Sequence, residues 1–257
     1  MKTANVDGFK YPWPFPSKPT AWYRFKSRMT MSFVYLCSKA MFFGGNKLVV
    51  QNRDVLLRLL ADKSRSLLTI SNHRSNIDDP FVWASFPLSN FFANIDRFRY
   101  TPTAHNICFT KAFHTYIFSL GRCVPIVRGA GVFQECMDFC IEKLNEKQWV
   151  HMYPEGKVTP EPIRFKWGIG RLLNETKEPP IILPIWVKGM DNVWPSSPPY
   201  YPLFGKTVEV IVGEPLDSKD ILSSLKSITE IERRKEITDY LQDTLFELGG
   251  CKDLVNH

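Results

Sequence analysis

An α/β domain is the fold class this sequence predicts, and three observations predict it. Short uncharged runs such as Leu67-Leu68-Thr69-Ile70-Ser71, bounded by polar residues, fit strands buried on both faces. Other stretches carry apolar residues at steps of three and four, the helical period. The two kinds of segment alternate along the chain, as strands crossed over by helices do. With 257 residues, 44% of them hydrophobic and 14% aromatic, the chain can bury one sizeable core.

Residues 1–21, rich in proline and aromatics, read as an extended arm. They show neither a secretory apolar run nor an Arg- and Ser-rich transit helix, and an internal targeting signal stays open. Residues 22–46 read as an amphipathic helix with its stop. Trp22, Phe25, Met29, Phe33, Leu36, Ala40 and Phe43 recur at helical steps, Arg24, Lys26, Arg28 and Lys39 add charge, and Gly44-Gly45-Asn46 ends it. The uncharged run 29–38 falls well short of the roughly twenty apolar residues that span a bilayer. A basic helix lying in a membrane interface fits, and so does a helix packed into the core.

Residues 47–257 then form the main domain. Strands are expected at 48–52, 67–71, 122–127, 149–153, 181–187 and 208–212. Helices are expected at 53–62, 80–86 and 131–145, the last with Phe133, Met137, Ile141 and Leu144 inward. Residues 104–120 read as partly helical and 218–248 as helical and charged. The loop 193–204 holds four prolines with Trp194, Tyr200 and Tyr201, and membrane contact is one account of it.

The net charge of +7 favours an anionic partner: nucleic acid, a phospholipid surface or a phosphate-bearing substrate. The basic residues are dispersed and no nucleic-acid-binding module is visible, so nucleic acid is set aside. Six cysteines include no C-x-x-C pair, which gives a zinc site no support; Cys136 and Cys140, four apart, read as a core stripe. No G-x-S-x-G elbow or P-loop occurs, and Gly168-Ile169-Gly170 lacks the third glycine of a dinucleotide loop.

Ser71-Asn72-His73-Arg74-Ser75-Asn76-Ile77-Asp78-Asp79-Pro80 follows the clearest strand. Asp79 before Pro80 reads as a helix start. That leaves His73 and Asp78, five apart. On one continuous helix they would not share a face. In a tight loop between strand and helix, Asp78 reaches the imidazole, fixes its tautomer and leaves the other ring nitrogen free as a base. Spacing alone leaves both a structural and a catalytic histidine open. His105, His114, His151 and His257 lack such a partner and read as structural or exposed. Arg128-Gly129 suits a phosphate, with a donor fork beside a residue that lets backbone come close, or is an ordinary surface arginine. Glu155-Gly156-Lys157 follows a strand and otherwise reads as a solvated turn.

Taken in order, N-H-x-x-x-x-D, then Val124-Pro125-Ile126-Val127-Arg128-Gly129, then Tyr153-Pro154-Glu155-Gly156, then Ile182-Leu183-Pro184-Ile185 resemble the glycerolipid (lysophospholipid) acyltransferase family. The resemblance covers roughly the central half of the chain, and four blocks in sequence make it specific. It implies one domain with a central mixed sheet flanked by helices, His73 as general base and Asp78 as its partner. It assigns Glu155 and Gly156 to acceptor binding; Lys157 is added on charge, and Pro184 reads as structural. Backbone N–H groups near Gly129 or Gly156 are candidates for the oxyanion. No metal or prosthetic group is implied.

Within the family, SNHRSNIDDP, LGRCVPIVRGAG, YPEGK and FKWGIGRL look most like a branch that exchanges acyl groups between phospholipids and lysophospholipids without coenzyme A. Cardiolipin and monolysocardiolipin are among its substrates, and it sits on mitochondrial membranes facing the intermembrane space. Lys157-Val158 stands where many members carry Thr-Arg, a departure that fits this branch. A coenzyme A-dependent acyltransferase and a non-catalytic lipid-binding protein are the alternatives, and oligomer formation is left open.

Overall fold

The computed structural model describes residues 8–198, 200–226 and 229–251; His257 lies outside them. Along the chain run α1 (Ala21–Phe43), β1 (Lys47–Gln51), α2 (Arg53–Ala61), β2 (Leu67–Ser71), α3 (Asp78–Val82), α4 (Leu88–Ala93), β3 (Thr101–Ala104), α5 (His105–Cys108), α6 (Ala112–Leu120) and β4 (Cys123–Ile126). Then follow α7 (Glu135–Asn145), β5 (Trp149–Met152), α8 (Gly168–Glu175), β6 (Ile181–Lys188), α9 (Met190–Val193), β7 (Thr207–Val212), β8 (Leu216–Asp217), α10 (Ser218–Ser224) and α11 (Glu230–Gly249).

The main sheet has the order β1-β7-β6-β2-β5, with β8 beside β6. It is mixed: β6, β2 and β5 run parallel, β1 and β7 run parallel to each other, and β6 and β7 are antiparallel. The parallel pair β3–β4 continues it through a bridge between Tyr100 and Val150. Pro184 lies between the stretches of β6 that pair with β8 and with β7, where a missing N–H costs least, and its carbonyl accepts from Gly213 N–H.

Side chains alternate across the sheet with period two. Leu67, Trp149, Leu183, Ile185 and Val187 enter a core built with α1, α2 and Trp83, Phe86 and Phe91. Leu68, Ile70, Val150, Met152 and Ile182 enter another, with Met137 of α7, Ile169 and Leu172 of α8 and Leu241, Leu245 and Phe246 of α11. Cys136 and Cys140 are buried in that second core. Apolar cover on both faces is why the central strands read as unbroken apolar runs.

Two expectations need correction. The helix expected from 131 begins at Glu135, and Phe133, expected inward, is exposed between the Arg171 and Arg234 guanidinium groups. Gly131, at φ 84°, and the bonds from Gln134 to Val127 hold 127–134 as a loop. Asp79 caps no helix: Ile77 occupies the cap position, and Asp79 accepts from Trp83 Nε1 at 3.1 Å and pairs with buried Arg99. Helix α1 does pack into the first core, through Met31 and Tyr35. Its buried residues are Ser27, Met31, Tyr35 and Ser38, while Trp22, Phe25, Met29, Phe33, Leu36 and Phe43 face outward. Among the described residues no helix is long and apolar enough to cross a membrane.

Candidate active site

Because β2, β5 and β6 are parallel, their carboxyl ends share one edge, and the Tyr100–Val150 bridge brings the ends of β3 and β4 there too. The amino ends of β1 and β7 point to the same edge, since β7 opposes β6. Loops at this edge carry His73 to Asp78, Arg128-Gly129 and Glu155-Gly156-Lys157, the position where open α/β sheets bind ligands.

The residues after β2 form a tight loop, and His73 Nδ1 meets Asp78 Oδ2 at 2.9 Å. That oxygen also accepts the N–H groups of Arg74 at 2.7 Å and Ser75 at 2.9 Å. An oxygen receiving two backbone donors is an acceptor, so Nδ1 carries the hydrogen and Nε2 keeps its lone pair. Asp78 is fully buried, whereas the His73 side chain keeps 19% exposure, so a reactant can reach the ring. The loop is anchored from beneath: the Asn72 side-chain amide bonds N–H and C=O of Val187, both at 2.8 Å. Ser75 Oγ donates to the Trp194 carbonyl at 2.9 Å.

Glu155 lies differently from a group free to meet an acceptor. Its carboxylate is fully buried, accepts His73 N–H at 2.8 Å, and receives Arg74 Nη1 at 3.0 Å on both oxygens. Burial raises its pKa above the usual glutamate range, more than Arg74 lowers it. The Arg74 guanidinium lies 5.7 Å from the Trp186 ring centre. Thus Glu155 reaches His73 through backbone and ion pair, joining β5 to β2.

Gly156 and Lys157 are exposed beside it; Gly156 has φ 73°, a conformation suited to glycine. Arg128 and Gly129 are exposed on the loop after β4, and Gly129 has φ 86°. Charges of Arg128 and Asp79 both reach the Cys108 thiol, which burial raises to about 11. His105 bonds the Ile126 carbonyl and His114 bonds Thr110.

Under the imidazole lies a group to which the sequence alone assigns no role. Tyr153 stacks on His73 with ring centres 4.3 Å apart and planes at 25°. His151 stands edge-on to Tyr153 at 4.5 Å, and Trp83 edge-on to His151 at 4.9 Å. Burial drives the His151 pKa down to about 3, so its ring is neutral. Trp149 Nε1 donates to Thr69 Oγ1 at 2.8 Å, and that hydroxyl is 2.7 Å from His151 Nδ1. Every donor finds an acceptor if Thr69 donates to Nδ1, Nε2–H donates to Ser71 Oγ at 3.3 Å, and Ser71 donates to the Asn72 carbonyl. Strand parity was the available signal: 149, 151 and 153 must share a face. Arg74 carried no such signal, because its partner Glu155 is 81 residues away.

An oriented imidazole with a free nitrogen, at a basic and partly open edge, can take a proton from a hydroxyl or amine and return it to a leaving group. Comparisons with known proteins agree in kind. Residues 47–188, more than half of the chain, match the family described as Acyltransferase. Tafazzin of Drosophila melanogaster is 39% identical over 252 residues, 95% of this chain and 65% of the relative. Taffazin of Dictyostelium discoideum is 36% identical over 183 residues, 69% of this chain and 63% of the relative. N-acylphosphatidylethanolamine synthase of Arabidopsis thaliana is 36% identical over 182 residues, 67% of this chain and 64% of the relative. The chain therefore spans a little under two thirds of the length of these relatives. The crystal structure of the 1-acyl-sn-glycerophosphate acyltransferase of Thermotoga maritima superposes with a TM-score of 0.57 at 17% identity, over 91% of this chain and 84% of that one. That likeness concerns the fold. The chain belongs to the acyltransferase family.

Proposed function

We propose that the protein is a phospholipid–lysophospholipid transacylase that needs no coenzyme A and uses His73 and Asp78 as its base. The observation that carries this reading is the 2.9 Å contact from His73 Nδ1 to Asp78 Oδ2, with the imidazole open at the carboxyl edge of the sheet. His73 Nε2 takes the proton of the lysophospholipid hydroxyl as its oxygen attacks the donor ester carbonyl. The tetrahedral intermediate then collapses, the donor's glycerol oxygen leaves, and His73 returns the proton to it. One ester bond forms as one breaks, so no activated thioester is required. General-base help of this kind is worth roughly 10²–10⁴ in rate.

Several features support the finer reading. Relatives named tafazzin align with the chain, and the motif resemblance of SNHRSNIDDP, LGRCVPIVRGAG, YPEGK and FKWGIGRL implies phospholipid donors, cardiolipin and monolysocardiolipin among them, on mitochondrial membranes facing the intermembrane space. Arg128, Gly129, Gly156 and Lys157 are exposed on loops at the same edge as the base and would take the headgroup phosphate. Lys47, Lys188 and Lys206 add positive charge along the same edge. Glu155 serves as the clamp of the base loop rather than as a direct contact to the acceptor. The outward apolar face of α1 would lie in the membrane interface.

A second reading draws on the Arabidopsis relative: an amine of phosphatidylethanolamine would replace the hydroxyl as acceptor. Lipid mass spectrometry separates the readings. Purified protein is mixed with vesicles holding two phospholipid species of distinct acyl chains, a lysophospholipid and phosphatidylethanolamine, with and without acyl-coenzyme A. Ester exchange without coenzyme A that vanishes in His73→Ala, while vesicle binding persists, is the expected result. N-acylated product favours the second reading, and turnover only with the thioester removes the first. Unchanged exchange in His73→Ala removes the base assignment.

A further inference from the structure

We infer that Tyr153 is a positioning residue of the site, whose ring face stabilises the imidazolium that His73 becomes when it takes the acceptor's proton. The inference rests on His73 being the base. The imidazole is bounded on two sides. Asp78 holds it in the ring plane through Nδ1, and the Tyr153 phenol covers one face at 4.3 Å and 25°. A positive charge over the electron-rich face of an aromatic ring is attracted to it, more strongly where water is excluded. Neutral imidazole gains little from that field. The stack is therefore tighter in the charged state met during proton transfer, and only such a difference speeds the chemical step.

The surroundings keep the ring in place. His151 meets Tyr153 edge-on at 85°, is fully buried, and is fixed through Thr69 and Ser71. A charged His151 would oppose a charge on His73; burial keeps it neutral. Burial also raises the Tyr153 phenol well above its usual pKa, so the ring stays un-ionised. Its hydroxyl is buried near Ser71 and makes no hydrogen bond of sound geometry. The face of the ring, not the hydroxyl, is then the useful part.

This separates the roles of ring and hydroxyl by experiment. Acyl exchange in vesicles is measured for the parent, His73→Ala, Tyr153→Phe, Tyr153→Leu, and protein with phenylalanine carrying one, two or three ring fluorines at position 153. Tyr153→Phe should keep kcat. Tyr153→Leu should lose roughly 3- to 30-fold in kcat with KM for both lipids unchanged. Each added fluorine weakens the ring face at nearly constant shape, so kcat should fall stepwise, and this series reads the effect even if Tyr153→Leu folds poorly. A kcat indifferent to fluorination, an equal loss in Tyr153→Phe and Tyr153→Leu, or a loss confined to KM overturns the inference. If His73→Ala keeps activity, the base assignment itself has failed; if His73→Ala is inactive and fluorination changes nothing, only the role of Tyr153 has failed.

Discussion

At the scale of single residues, the loop that carries His73 depends on a buried ion pair. Arg74 Nη1 meets both oxygens of Glu155, and Glu155 also holds the His73 N–H. Removing one partner of a buried pair strands the other charge, at a cost of about 3–5 kcal/mol, whereas removing both often costs less. Glu155→Leu should therefore lower both stability and kcat, and adding Arg74→Met should recover much of the stability. It should not recover kcat, since His73 N–H still lacks its acceptor. Urea unfolding with kinetics on the single and double variants tests this. An unchanged kcat with a raised KM for the lysophospholipid would show that Glu155 meets the acceptor after all. The sequence showed only part of this arrangement. His73 and Asp78 are five residues apart in a recognisable block, so their contact could be expected. Arg74 and Glu155 meet only because β2 and β5 are neighbours, and one sequence does not reveal strand neighbours.

At the scale of elements, the close approach of α8 and α11 fixes how the second core closes beneath the site loops. Gly170 makes that approach. A Cβ there would run into the Arg234 carbonyl and stand 2.9 Å from both Arg234 Cα and Thr238 Oγ1. Alanine suits a helix interior better than glycine by up to about 1 kcal/mol. Forcing a methyl against backbone costs about 1–3 kcal/mol, so the clash prevails. Gly170→Ala should lower the urea midpoint at unchanged m-value; a midpoint equal to or above the parent's would show that the helices can part freely. The elements that sequence revealed and those it hid differ in physical kind. β2, β5 and β6 are covered on both faces and read as apolar runs. β3 is Thr-Pro-Thr-Ala, with no apolar alternation to mark it in the sequence, and is held by pairing with β4. Short α4 and α8 are equally hidden: α4 buries only Phe91, and α8 opens on Gly-Ile-Gly, which reads as a loop.

At the scale of the whole molecule, apolar and basic surfaces meet near the site. α1 buries Met31 and Tyr35 in the core and still presents Phe33 at 69% exposure and Phe43 at 97% on its other side. Beside it, α6 exposes Phe113 and Tyr116. Phe43 leads directly to Lys47, and Lys206 follows the exposed Phe204, at the edge that carries His73. These surfaces should act differently on vesicles. Apolar insertion is insensitive to salt, whereas attraction to anionic headgroups is screened beyond roughly 10 Å at 0.1 M salt. Phe33→Ser with Phe25→Ser should weaken sedimentation with neutral and anionic vesicles alike, at every salt concentration. Lys47→Ala with Lys206→Ala should remove about 2 kcal/mol, roughly 30-fold in affinity, for anionic vesicles at low salt only. If both pairs of changes act alike, or if neutral vesicles bind as well as anionic ones at low salt, charge at this edge does not steer the protein. The headgroup preference of the reaction would then have to arise inside the site, from Arg128 and Lys157, whose single replacement should change product selectivity without changing vesicle binding.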